Sequence, residues 1–426
     1  MEAALFLSFI GLMMIRVPIA LALAFSTAFA LHFFTNMNLL LVVQRMFTGL
    51  DTFPFMAIPF FIMAGAILEQ GGVSKRLINF ASALVGGLPG GLAIVTIVAS
   101  AFFGAVSGSA TATVVAIGVI MLPAMKEEGY PLKFALATVA VGGFLGVVIP
   151  PSIPMVVYGI STNTSIGDVF IASIVPGALL CLSMSFYAYL YGRKNLEIPE
   201  DRGFSLQRVL TTFKEAIWAL IMPGIILGGI YGGIFTPTEA AAVACFYGLL
   251  VGFLIYKELD FNRLYMLLKD SVEKTSMIMF IVAAASSFGY LMTRAQVPAE
   301  MTDFITSLSS NPIVLLLLIN GVLLLIGTFM ETVAAIMILG PLLMPFAHEM
   351  GIDMTAFGIM MVVNLGIGMA TPPLGLNIFM TSGIGKTSVE KVINVHLGFY
   401  LLFAIAVLLL ITYVPSISLF LLDILN

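Results

Sequence analysis

The stretch GVVIPPSIPM, residues 146–155, interrupts one apolar run, and GMATPPLGLN, residues 368–377, interrupts another. Proline lacks a backbone donor and pushes the residue before it out of helical geometry. Two prolines in succession therefore end one half-helix and release carbonyls from intrahelical bonding. In lipid, such backbone is tolerated only where protein buries it or a watery cavity faces it. Each double proline thus predicts a site at membrane depth, and the two lie 222 positions apart. The same offset sets Pro123 on Pro345, Glu127 on Glu349, Gly129 on Gly351, Gly118 on Gly340 and Gly146 on Gly368. It also sets Ser165 and Asp168 on Thr387 and Glu390, both pairs spaced as a capping box. Each unit is therefore expected to cross and start a new helix at the same place. The chain reads as two repeats, residues 1–215 and 216–426.

The solvent follows from composition. The 426 residues are 60% hydrophobic and 9% charged, with mean hydropathy +1.12, whereas a soluble domain carries roughly 25% charged residues. Such a chain cannot cover itself with polar surface in water. At roughly 20 apolar residues per crossing, it predicts about 10 to 14 crossings. The fold class is an all-α polytopic membrane protein. A soluble enzyme, a nucleic-acid-binding protein, a secreted disulfide scaffold and a disordered chain are excluded. Cys181 and Cys245 lie in apolar runs and read as packing residues. A net charge of -4 implies no nucleic-acid partner. Arg16 and Pro18 break the first apolar run, which reads as membrane helix rather than a cleavable signal.

Charge concentrates in residues 193–216 and 257–275, each expected to be an interfacial amphipathic segment. Two apolar stretches joined at Thr236 and Pro237 separate them, so both lie on one side. Arg193, Lys194, Arg202, Arg208, Lys214, Lys257, Arg263, Lys269 and Lys274 are half of the 18 basic residues, which makes that side the cytoplasm. If the repeats are inverted, both termini are periplasmic.

Each repeat carries a second interruption, AFFGAVSGSATATVVAIG at 101–118 and LLIGTFMETVAAIMILG at 324–340. Helix ends at mid-depth direct free N–H groups at anions, while unwound carbonyls and hydroxyls offer hard oxygen ligands to Na⁺. The first site gathers Ser107, Gly108 and Ser109 with Gly146, Ile149 and Pro150. The second gathers Gly327, Thr328 and Glu331 with Gly368, Thr371 and Pro372. Few full charges suit a monovalent cation better than Ca²⁺, and no other metal or cofactor is implied. Small residues also let helices pack closely, which remains the alternative for either cluster alone. Glu331 is either a functional intramembrane acid or a helix cap. Candidate contacts for an anionic substrate are Arg45, Thr111, Ser152 and Asn377, with snorkelling to the interface the readier alternative for Arg45. TPTEAAAVA at 236–244 reads as a helix start. GIGKTS at 383–388 fails as a phosphate loop because Met380 stands where its first glycine belongs.

FPFMAIPFFIMAG (53–65), SGSATATVVAIG (107–118), GVVIPPSIPMVVYG (146–159), GIFTPTEAAAVA (233–244) and GMATPPLGLNIF (368–379) occur in this order. Together they resemble the large membrane subunit of tripartite ATP-independent periplasmic (TRAP) transporters, the DctM/SiaM-like family, across essentially the whole chain. The resemblance implies a Na⁺-coupled secondary importer in the bacterial inner membrane. Its substrate would be an organic acid of the sialic acid or C4-dicarboxylate class, delivered by a soluble periplasmic substrate-binding protein. It implies two inverted-topology repeats with re-entrant helical hairpins and broken helices, arranged as a scaffold and a transport domain that moves as an elevator. The inward hairpin falls near 90–125 with its broken helix near 146–154; the outward hairpin falls near 312–346 with its broken helix near 368–376. A small four-helix membrane subunit would be a separate chain, since no amino-terminal extension is seen. The alternative is a self-sufficient Na⁺/carboxylate symporter of similar hairpin architecture. A membrane-embedded enzyme lacks any cluster of nucleophile, acid–base pair or metal ligands, and broken helices in inverted repeats favour alternating access over a channel.

Overall fold

The computed structural model describes residues 1–196 and 205–425, and every regular element among them is helical. Arg202, counted in the first charge cluster, lies outside the described residues. Eight of the described helices are long and apolar enough to cross a membrane, or nine if the bent pair Leu132–Val148 and Ile153–Thr162 counts as one crossing. This is fewer than the ten to fourteen expected from length. Division by length gives every apolar residue to a full crossing, whereas much of this chain lies in helices of 10–17 residues such as Gly91–Ser107, Pro312–Gly327 and Met354–Gly368.

The 222-residue offset recurs in the element boundaries. Ala110–Glu127 maps onto Thr332–Glu349 at both ends, Leu132–Val148 and Met354–Gly368 start together, and Ile153–Thr162 and Leu376–Ile384 end together. Gly91–Ser107 with Ala110–Glu127 forms a first hairpin, and Pro312–Gly327 with Thr332–Glu349 a second. Both double prolines fall between half-helices, and both Pro150-Pro151 and Pro372-Pro373 are joined by cis peptide bonds. The first break bends its helix by 42°. Packing is exchanged between repeats: Ile153–Thr162 lies on Thr332–Glu349, and Leu376–Ile384 lies on Ala110–Glu127 and Leu132–Val148.

Two expectations are corrected. Each charge cluster leads directly into a long membrane helix, Leu206–Tyr231 and Phe261–Arg294, rather than a separate interfacial helix. At 34 residues the latter is roughly 51 Å long against a hydrocarbon core of about 30 Å, so its charged first turns extend past the membrane. The caps after the breaks also differ. Ser165 Oγ accepts from the Asp168 N–H at 3.3 Å and starts a 30-residue helix. In the second repeat the cap moves from Thr387 to Ser388 and starts only Val389–Val392, after which Asn394 caps Val395–Tyr413. Thr387 is otherwise engaged: its N–H donates to Ser382 O at 3.1 Å, and its carbonyl accepts from Ser382 Oγ at 2.6 Å. Thr236 and Glu239 form the full capping box expected of a helix start.

Candidate functional site

The first hairpin turns because Gly91–Ser107 ends on Gly108 at φ 61, a left-handed conformation that glycine adopts without strain. Ser109 is extended and caps the returning arm, its Oγ accepting from the Ala112 N–H at 3.4 Å. Its carbonyl accepts from Thr113 Oγ1 at 2.8 Å, and Ser107 Oγ lies 3.3 Å from the same Thr113 oxygen. Thus three oxygens of the tip gather at one point. Gly146 backs them, since a Cβ there would stand 2.5 Å from Ser109 O. Gly104 meets Gly146 in turn, a Cβ at 104 falling 2.8 Å from Gly146 Cα. The tip is tied to the break, where the Ile153 N–H donates to Gly108 O at 3.3 Å.

The second tip repeats this design. A Cβ on Gly368 would lie 2.6 Å from Gly327 Cα. The N–H of Gly375, which is 222 residues after Ile153, donates to Thr328 O at 2.7 Å. Thr328 Oγ1 donates to Leu325 O and Thr371 Oγ1 to Ile367 O, both at 2.8 Å. Glu331 stands where Ser109 stands in the first repeat and caps its arm twice, accepting from the Val333 N–H at 2.9 Å and the Ala334 N–H at 3.3 Å.

The two tips meet. A cavity of about 50 Å³ is lined by Gly108, Ser109 and Thr111 from the first, by Glu331 and Val333 from the second, and by Val147, Ile153, Pro154, Met369 and Ile278. Thr111 Oγ1 lies 3.2 Å from Ser109 Oγ. Ala110–Glu127, Ile153–Thr162 and Thr332–Glu349 all begin at this cavity, so three helix N-termini direct partial positive charge into it. Glu331 accepts from two N–H groups of one of them, while Ser109 accepts from one N–H of its own.

The structure brings Ser107, Gly108, Ser109 and Gly146 together, and Gly327, Thr328 and Gly368 likewise. The Ile149 side chain packs toward Gly177, so only its backbone is free to face the first site. Pro150 and Pro372 lie in the breaks, while Glu331 faces the central cavity. Of the substrate candidates, Thr111 lines that cavity and the other three are absent from its lining. Ser152 Oγ donates to Val147 O at 2.6 Å across the break. The Asn377 amide donates to Ala140 O at 3.2 Å. Arg45 is exposed and stacks on Tyr290 at 3.8 Å. Ile278 escaped the sequence reading, since it lies in an uninterrupted apolar stretch with nothing to set it apart, and Met369 lies within the second break that the sequence singled out.

Paired re-entrant hairpins facing broken helices around a small cavity that holds a few polar groups among apolar walls define a polytopic membrane transporter. The solved structure of the YdaH transporter of Alcanivorax borkumensis shares this fold, with a TM-score of 0.62 at 16% identity over 88% of this chain and 87% of that one. The chain belongs to the family described as "Tripartite ATP-independent periplasmic transporter, DctM component", whose profile matches residues 6–417. It is 45% identical to the isethionate TRAP transporter permease protein DctMQ of Oleidesulfovibrio alaskensis, over 96% of this chain but only 64% of that longer one. It is 39% identical to the C4-dicarboxylate TRAP transporter large permease protein DctM of Rhodobacter capsulatus, over 96% of each. It is thus a multi-pass inner-membrane transporter component and not an enzyme.

Proposed function

We propose that the protein is the large subunit of a Na⁺-coupled importer of a small organic anion. The observation that carries this is the meeting of both hairpin tips at one cavity, each tip tied by its carbonyl to its own broken helix. Na⁺ at the oxygen clusters around Ser107, Ser109 and Thr113, and around Thr328 and the second break, orders the tips and so completes the anion site between them. Ordering that favours both ligands couples them by one reciprocal free energy. Transport then proceeds as an elevator, with the hairpins and broken helices moving against a scaffold built from the remaining helices of each repeat, 1–215 and 216–426. Both termini lie in the periplasm, opposite the basic clusters. A soluble periplasmic binding protein delivers substrate, and a small four-helix membrane subunit completes the complex as a separate chain. The name DctMQ on one longer relative agrees with two membrane components working together.

Two similar relatives are named for isethionate and C4-dicarboxylate, so the substrate class is organic anion. The test is uptake into proteoliposomes holding the chain and its small partner, with binding protein loaded with isethionate, a C4-dicarboxylate or sialic acid. Uptake of one of them that requires both inward Na⁺ and the loaded binding protein is expected. Uptake of free substrate without binding protein would favour the self-sufficient symporter. Replacing Ser107 or Ser109 with leucine should abolish uptake while leaving assembly intact, and retained uptake would remove the first sodium site.

A further inference from the structure

Six buried side-chain polar atoms among the described residues have no hydrogen-bond partner, and three of them follow the second break: Asn377 Oδ1, Thr381 Oγ1 and Thr387 Oγ1. Asn377 and Thr381 are both 0% exposed. They sit four residues apart on Leu376–Ile384 and so share one face of it, with Cβ atoms about 5–6 Å apart. The Asn377 amide nitrogen donates to Ala140 O, which places that face against Leu132–Val148. Leaving such oxygens dry is costly. One water making two bonds of about 2.8 Å spans the separation between them.

Packing does not require these polar atoms. The equivalent half-helix of the first repeat, Ile153–Thr162, lies on the opposite hairpin with Met155 and Gly159 at the corresponding places. The polar face is therefore a property of the second repeat alone. It also has two connected ends. The Asn377 N–H donates to Met369 O at 2.9 Å, and Met369 lines the central cavity. Ten residues on, Thr387 lies in the turn between Lys386 and Lys391, where basic residues again collect.

We propose that ordered water occupies the seam between Leu376–Ile384 and Leu132–Val148, bridging Asn377 and Thr381 and continuing to Thr387. It forms a hydrated path from the wall of the central cavity to the basic, cytoplasmic face. The path is one-sided, because Met155 and Gly159 stand in the first repeat where Asn377 and Thr381 stand in the second, and the hydroxyl that crosses the matching seam, that of Tyr158, already donates to Met354 O at 2.7 Å.

The test reads water access rather than transport, so its outcome is separate from that of sodium coupling. Thr381→Cys, Thr387→Cys and Met155→Cys are each made in the full chain with Cys181→Ser and Cys245→Ala, and reconstituted with the small subunit. Ag⁺, an ion small enough for a single-file path, is added, and the thiols that remain are counted after denaturation. Both threonine positions should react at least about tenfold faster than Met155→Cys, since thiol reactivity follows access. Reaction at Thr381→Cys no faster than at Met155→Cys would overturn the proposal. If Thr381→Cys does not fold, Thr381→Val decides. Removing a hydroxyl bonded to water lowers the melting temperature, whereas removing an unpaired one leaves it unchanged or raises it, and the latter result would overturn the proposal.

Discussion

The two hairpin tips hold equivalent positions 222 residues apart and share their backbone design, yet their caps differ in chemistry. Position 109 is a serine accepting from one backbone N–H of its arm, at 3.4 Å, and position 331 is a glutamate accepting from two, at 2.9 and 3.3 Å. What both share is close backbone approach, Gly146 against the first tip and Gly368 against the second. The comparison separates two requirements. The fold needs small residues and broken helices in both repeats, whereas electrostatics need not be duplicated.

The largest effect is expected where the repeats agree. Gly368→Ala puts a methyl 2.6 Å from Gly327 Cα, backbone that no rotamer can move, and Gly146→Ala does the same against Ser109 O. Each should cost about 3 kcal/mol in overpacking, measured as loss of stability in detergent. A neutral result at one glycine alone would break the equivalence of the tips. Next come the caps. Glu331→Ala leaves two N–H groups without their acceptor and should cost about 2 kcal/mol, against roughly 0.5–1 for Ser109→Ala. Equal shifts would erase the contrast between them. The smallest effect belongs to Arg45→Ala, which removes an exposed stacking contact worth about 0.5 kcal/mol and should leave uptake unchanged. Lost uptake would restore Arg45 as an anion contact.

The breaks and tips were legible because they depend on backbone chemistry written in residue type. Proline cannot donate, glycine alone turns freely at φ 61, and serine caps a helix. Thr236 and Glu239 were read as a helix start for the same reason. What escaped depends on tertiary placement. Ile278 enters the cavity wall from a distant helix, and nothing in its local sequence says so. The helix start moved from Thr387 to Ser388 where the Thr387 backbone bonds Ser382 through both its N–H and its carbonyl, a contact that spacing alone does not reveal. The charged segments looked interfacial because their composition is amphipathic, but helix continuity carried them into Leu206–Tyr231 and Phe261–Arg294. Arg45 was a candidate by charge alone, and its neighbour Tyr290 lies 245 positions away in sequence.

The central claim is that Na⁺ orders the two tips. The most direct measurement is hydrogen exchange at residues 107–113 and 328–334 in the reconstituted protein, comparing Na⁺ with K⁺ at equal ionic strength and without substrate. The account predicts slower exchange in Na⁺ at both tips, with the scaffold helices unchanged. Identical exchange in the two salts at both tips would contradict it.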